Sequence, residues 1–359
     1  MNPVHVLHAL GQRLWVDNIT RSMLEQGTLQ RYIDTLQVTG LTSNPTIFDQ
    51  AIGSDTQYDA AIADKARRGL SGEALFVELA LEDLCRAADL FLPMHCASGG
   101  HDGWVSMEIS PLLAQDTAGS LQAARQIFAL AGRPNLFVKI PGTPESLPAI
   151  EEAIFAGIPV NVTLLFSCAQ YEAAAQAYLR GIERRLAAGL PPGVMSVASV
   201  FVSRWDVAVK DQVPQDLQNR LGIAVCEQTY QASLQLLASE RWQRLAKAGA
   251  HPQRVLWAST GTKDPLTSDT LYVEALAAPD TINTLPEKTL LAFADHGRPG
   301  HVMPLHSAQT QVLLARFAAV GIDTEALATQ LQQDGASAFV KSWRALLQRI
   351  ADKCQTLSS

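Results

Sequence analysis

Lysine is scarce in this chain of 359 residues: there are eight, against twenty arginines. Cysteine is scarcer, with five (Cys85, Cys96, Cys168, Cys226 and Cys354), an odd number with no CxxC pair. That distribution excludes a disulfide framework and fits free thiols in a reducing compartment. No run of about 18 apolar residues is free of charge, so no transmembrane helix is expected. Residues 1–13 hold two histidines and one arginine but no cleavable apolar core, so no signal peptide is read and a cytoplasmic protein is expected. Motifs are missing as well. There is no GxGxxG or GxxxxGK[ST] for a nucleotide and no GxSxG elbow for a serine hydrolase. His5 and His8 are spaced HxxH, His95 and His101 flank a glycine-rich loop, and His296, His301 and His306 sit in a late polar loop. None of these has a zinc spacing, so no metal and no cofactor is expected. Excess positive charge is lacking too: 28 basic against 35 acidic residues leave a net charge of −7. Nucleic acid and anionic membrane are thereby excluded as main partners, because each wants a basic surface. A small anionic substrate needs only a few local cations and stays open.

What is present is an ordinary globular composition, 47% hydrophobic and 18% charged, in a chain long enough to bury a large core without a covalent staple. A short apolar run ending in a polar residue recurs along it. The runs are Leu14–Asp17, Gly40–Asn44, Trp104–Glu108, Leu136–Ile140, Val160–Leu164, Met195–Ser199 and Val255–Ser259, with a weaker eighth at Thr281–Thr284. Helical patterns lie between them, among them Gly119–Ala131, Cys168–Ala188 and Leu221–Ala248. Eight alternations of strand and helix predict an α/β fold, a (β/α)8 TIM barrel, with residues 1–359 forming a single domain. Gly53–Leu92 holds two helical stretches instead of one and reads as an inserted segment after the second strand. From about residue 286 to 354 the chain supplies the helix after the eighth strand and a C-terminal helical extension. Helices are expected there at Ser307–Val320, Thr324–Gln333 and Ala336–Ile350.

The polar residues that end the strands carry the chemistry. Burying a charge without a partner is costly. A barrel that places Asp17, Glu108 and Lys139 in three strands must therefore bring them together, and strand ends converge on one face of this fold. Lys139 stands in Leu-Phe-Val-Lys-Ile-Pro. An apolar surround favours the neutral amine, a nucleophile that attacks a carbonyl and forms a Schiff base. A structural pair with a carboxylate is the competing reading. Asp17 and Glu108 suit acid/base work. They also suit a glycoside hydrolase, which leaves Lys139 without a role. Asn44, Asn161, Thr163, Ser199 and Ser259 are hydrogen-bonding groups fit for a polyhydroxylated substrate or a held water. Arg204 and Lys263 follow the sixth and seventh strands, where barrels often bind phosphate, and are otherwise surface cations.

Several segments together resemble the transaldolases, in particular their longer bacterial form. They are Leu14–Asn18, Gly40–Thr46, Val105–Glu108, Phe137–Thr143, Asn161–Ser167, Ser199–Arg204 and Ala258–Lys263. The resemblance implies a metal-free, class I mechanism that transfers a dihydroxyacetone unit from sedoheptulose 7-phosphate to glyceraldehyde 3-phosphate. It makes Lys139 the Schiff-base residue and Asp17 the acid/base. Glu108 and Thr163 hold the water that shuttles protons. Asn44, Asn161 and Ser199 bind substrate hydroxyls, and Arg204 binds phosphate. The shorter transaldolases carry Ser-Phe-Arg after the seventh strand, whereas this chain has Ser259-Thr260-Gly261-Thr262-Lys263, which makes Lys263, with Ser259 beside it, the second phosphate cation. Related fructose 6-phosphate aldolases have a tyrosine where Phe201 stands, so Phe201 is expected to favour transfer over simple cleavage. An aldolase-like lyase using the same lysine is the alternative within this chemistry. Sugar-phosphate substrates and a monomer or homodimer are expected.

Overall fold

Parallel strands grow from all eight apolar runs. They are β1 (Arg13–Val16), β2 (Val38–Thr42), β3 (Trp104–Glu108), β4 (Leu136–Pro141), β5 (Val160–Leu165), β6 (Ser196–Phe201), β7 (Arg254–Ala258) and β8 (Ile282–Leu285). Neighbours in sequence are neighbours in the sheet, and β8 pairs in parallel with β1, so the barrel closes. This computed structural model describes residues 2–54, 56–299, 302–304 and 308–358. The expected (β/α)8 architecture is the one found. Among the described residues, no helix is long and apolar enough to cross a membrane.

The strands are apolar on both faces because both are covered. Outward residues such as Val16, Leu41, Val105, Val138 and Val160 pack against the surrounding helices. Inward residues form a second cluster in which Trp15, Trp104, Phe137, Val197, Leu256 and Ile282 fill the barrel floor. Trp104 and Phe137 stack there with ring centroids 4.0 Å apart. Gly40 makes room for this plug: a Cβ at that position would lie 2.5 Å from Trp15 Cε2 and 2.7 Å from the Trp104 carbonyl. The apolar floor forces the inward polar residues of the same strands to the opposite, C-terminal mouth.

The helices depart from the sequence reading in three places. The expected helix Leu221–Ala248 is two, Leu221–Ala238 and Glu240–Lys247. Ser239 divides them, its extended backbone ending one helix while its side chain accepts from the Trp242 amide to start the next. In the insertion, two helices are found as expected, Asp59–Arg67 and Gly72–Ala97, but the second continues through Pro93. In the tail, the expected break at Gly335 is absent: a single helix runs from Thr324 to Ser358. The preceding helix is Ala308–Ala319; Ser307, where it was expected to begin, lies outside the described residues, as do His301 and His306.

That last helix crosses the C-terminal mouth. Gln332 bonds the ends of β4 and β5. Farther along, Ser342 accepts from Thr46 at 2.9 Å, and Arg349 donates to Asp49 at 2.6 Å. Trp343 meets Phe76 of the insertion edge-on at 5.1 Å. The insertion is itself tied by polar bonds: Arg21 and Tyr58 both donate to the buried Asp83, and the buried Lys65 donates to Glu78 and to the exposed Glu82.

Gly40→Ala is expected to destabilise the fold by about 1–3 kcal/mol through overpacking of the barrel floor. Urea denaturation followed by tryptophan fluorescence measures it; an unchanged midpoint would show that the Trp15 and Trp104 plug yields at no cost.

Candidate active site

Strand alternation aims the mouth residues. On β1, Trp15 fills the floor and Asp17, just past the strand end, shares its face. On β2 the inward set is Gly40, Thr42 and Asn44; on β3 it is Trp104, Ser106 and Glu108. The register places Lys139 of β4 opposite Glu108 on one side and Asn161 of β5 on the other. The strand order thus puts an amine between a carboxylate and an amide before any substrate arrives.

Lys139 Nζ stands 3.3 Å from Glu108 Oε2 and donates to the Ser43 carbonyl at 3.0 Å. Both side chains of the pair are buried, at 7% and 4% exposure. The immediate partners of the amine are therefore polar, not the apolar surround that its strand neighbours suggested; the adjoining Val138 and Ile140 point outward. Burial pushes the Glu108 carboxyl above its ordinary range against the pull of Lys139, and the Asp17 charge pushes it the same way. Asp17 is also raised by burial, while Lys139, a hydrogen bond from Thr42 and Lys263 pull it back. Thr42 Oγ1 lies 2.8 Å from Asp17 Oδ1 and 2.8 Å from Thr284 Oγ1.

Asp17, Asn44, Lys139, Thr163, Ser199, Phe201, Arg204, Ser259 and Lys263 all line one cavity at the mouth. Glu108 and Asn161 are not in that lining; Glu108 instead lines a second cavity, with Lys65, Ser110 and Trp343. Asn161 donates to Ser106 Oγ at 3.2 Å and accepts from Ser199 Oγ at 2.7 Å, so it orients Ser199 from below. Asn44 Oδ1 accepts from the Ile47 amide at 3.1 Å, which starts the helix Pro45–Ser54 and leaves its amide nitrogen for a ligand. Thr163 Oγ1 is buried with no hydrogen-bond partner among the described residues. Ser259 is held at a φ of 57° and its hydroxyl bonds that of Ser203 at 2.9 Å.

Arg204 lies over the Phe201 ring at 5.1 Å and near the Phe339 ring at 5.9 Å. No carboxylate reaches it within ion-pair distance among the described residues, and burial lowers its pKa. A guanidinium held by aromatic faces and left without an anion is suited to receive one. Lys263 lies at the exposed edge of the same cavity. Among the described residues, no group of three His, Cys, Asp or Glu side chains is placed to hold a metal ion.

Sequence reasoning missed Thr42, Thr284 and Phe339, which also line the cavity. Alternation from Asn44 would have found Thr42. Phe339 had no local signal, because its place depends on where the last helix docks.

The comparisons with known proteins agree with this geometry. The model of the Transaldolase/Fructose-6-phosphate aldolase family matches residues 14–350. The chain is 42% identical to a transaldolase of Thiobacillus denitrificans over 98% of this chain and 100% of that protein. It is 42% identical to transaldolase 1 of Streptomyces avermitilis, covering 95% of this chain and 93% of that one. A transaldolase of Renibacterium salmoninarum is 41% identical over 96% and 95%. From the strand ends that carry Lys139 and Glu108 to the helix that covers them, the chain belongs to the transaldolase/fructose-6-phosphate aldolase family.

Proposed function

We propose that the protein is a transaldolase of the non-oxidative pentose phosphate pathway. The observation that carries this reading is Lys139, paired with Glu108, in the lining of a cavity that also holds Arg204 and Lys263, neither of which has an ion-pair partner among the described residues. The Lys139 amine adds to the ketone carbon of sedoheptulose 7-phosphate. Glu108 and Thr163 hold the water through which protons pass as the carbinolamine loses water and becomes a protonated imine. Asp17 takes the proton of the C4 hydroxyl, the C3–C4 bond breaks, and its electron pair moves into the iminium to give an enamine. Erythrose 4-phosphate leaves as the aldehyde. The enamine then adds to glyceraldehyde 3-phosphate, Asp17 returns the proton, and hydrolysis frees fructose 6-phosphate and Lys139.

The cavity suits this sequence. Two carboxyls in one mouth, both raised by burial but in different contacts, divide the work: Glu108 faces the amine, and Asp17 faces Thr42. Asn44, Asn161 and Ser199 offer hydrogen bonds to the dihydroxyacetone hydroxyls. Arg204, Ser259 and Lys263 hold the phosphate, which fixes the length of substrate between rim and imine. Phe201 carries no hydroxyl and is covered by Arg204, which favours transfer over an aldolase reaction that needs a tyrosine to manage water. A hydrolase built on Asp17 and Glu108 is disfavoured, because Glu108 is paired with the lysine and does not share the cavity that Asp17 lines. Free thiols at Cys85, Cys96, Cys168 and Cys226 suit the cytoplasm, and the protein acts there as a monomer or homodimer.

Borohydride added with fructose 6-phosphate is expected to fix a three-carbon or six-carbon adduct on Lys139, located by peptide mass spectrometry. Lys139→Ala should retain its circular dichroism and fall below about a hundredth of wild-type turnover; an adduct elsewhere, or none, would overturn the mechanism. Arg204→Ala should raise KM for phosphorylated ketoses roughly tenfold or more while leaving unphosphorylated dihydroxyacetone nearly unaffected. Equal effects on both substrates would move the phosphate site. Asp17 works ionised, so its raised pKa places the acid limb of kcat/KM above the ordinary aspartate range near about 4. Thr42 stabilises the charged form, so Thr42→Val should shift that limb to still higher pH; a limb that stays in place would assign it to another group.

A further inference from the structure

Gln332 lies on the barrel-facing side of the last helix, buried, and its Nε2 donates to two backbone carbonyls, Gly142 O at 3.1 Å and Leu164 O at 2.9 Å. Gly142 follows β4, the strand of Lys139. Leu164 adjoins Thr163 on β5. The two strand ends are already joined at this level, because the Gly142 amide donates to the Thr163 carbonyl at 2.7 Å. A side chain from the far end of the sequence therefore grips both strands just beyond the reacting lysine and its threonine neighbour.

The grip falls on a strained turn. Leu164 is held at a φ of 59°, a left-handed conformation that a bulky L-residue rarely adopts, and the β5–β6 register shifts between Val162 and Leu165. Such a conformation persists only where its surroundings over-determine it. The last helix supplies those surroundings. Besides the Gln332 bond, it presents Gly335, where an added Cβ would stand 2.9 Å from Leu164 Cδ2 and 3.0 Å from Arg204 Nη1. Glycine within a helix is unfavourable, so close packing on Leu164 and Arg204 accounts for it here. The turn has a consequence for direction. Thr163, opposite Pro141 and two residues beyond the Asn161 that faces Lys139, lines the same cavity as the lysine, its hydroxyl buried and without a partner among the described residues.

We propose that Gln332 is a positioning residue for imine formation and hydrolysis: through the Leu164 turn and the Gly142–Thr163 bond it fixes the Thr163 hydroxyl relative to Lys139 and Glu108. This rests on the Schiff-base reading above. Gln332 touches no reacting atom. The step it serves joins the Lys139 nitrogen to the ketone carbon, moves protons to the ketone oxygen, and breaks the C–O bond so that water leaves and the protonated imine remains.

The test is washout of ¹⁸O from the C2 carbonyl of fructose 6-phosphate, above the spontaneous background, with no acceptor aldehyde added. Gln332→Met keeps the side-chain length and removes both donors. It is expected to slow enzymatic washout roughly tenfold, a loss typical of a small misplacement, while KM for fructose 6-phosphate changes by less than about twofold. If Gln332 acts through Thr163, the double variant Gln332→Met/Thr163→Val will be no slower than Thr163→Val alone. Washout unaffected in Gln332→Met, or losses that multiply in the double variant, would overturn the inference and leave Gln332 a structural cap. Should Gln332→Met not fold, Gln332→Asn, which keeps the amide but falls one methylene short, carries the same comparison. Wild-type enzyme without washout would overturn the Schiff-base reading, and this inference with it; wild-type washout with an indifferent Gln332→Met overturns this inference alone.

Discussion

An amine and a carboxylate 3.3 Å apart on adjacent strands, nearly out of reach of water, set the terms for the rest of the molecule. Each alone would be too costly to bury. Together, and with the Ser43 carbonyl accepting from the amine, they are tolerated at the centre of the barrel mouth. The floor beneath them must then be dry, which the Trp15, Trp104 and Phe137 plug achieves, and the polar groups between plug and pair must satisfy one another. The Ser106, Asn161 and Ser199 bonds do so. Low polarisability below and charge above strengthen every electrostatic contact in the mouth, including the opposing pushes on Asp17 and Glu108. The carboxyl that faces the lysine and the one that faces a hydroxyl thereby acquire different chemical characters from the same burial.

At the other end of the cavity the balance is reversed. Arg204 is bounded by Phe201 and Phe339 and approached by no carboxylate within ion-pair range among the described residues, so its positive charge is uncompensated by the protein. Asp334 and Glu108 act on it only at longer range. A chain with a net charge of −7 thus keeps a local positive end in one mouth, a field that favours anions there.

The strands and the charged residues of the site were legible in the sequence because each is a local contradiction. Lys139 in Leu-Phe-Val-Lys-Ile-Pro and Glu108 at the end of Trp-Val-Ser-Met-Glu break apolar runs that would otherwise need no charge, and the barrel is the fold in which such breaks converge. What was not legible depends on distant contacts. The lysine's polar surroundings come from Glu108 and Ser43, on other strands. Gly335 reads as a helix breaker by propensity, yet the packing of Leu164 and Arg204 keeps the helix whole across it. Ser239 made the opposite error, since a serine inside an apolar pattern gives little sign that it both ends one helix and caps the next. The roles of Phe339 and Gln332 required knowing where the last helix comes to rest, which no periodicity encodes.

The placement of that helix also has a meaning for biosynthesis. Lys139, Glu108 and the barrel floor are all translated long before Gln332, Gly335 and Phe339 leave the ribosome. Until then the carbonyls of Gly142 and Leu164 lack this donor, and the Leu164 turn lacks the packing that holds it. A nascent chain carries the buried-to-be Lys139 and Glu108 well before the helix that covers their mouth is made. The order of synthesis therefore leaves the Leu164 turn and the ends of β4 and β5 without these contacts until the last helix is made.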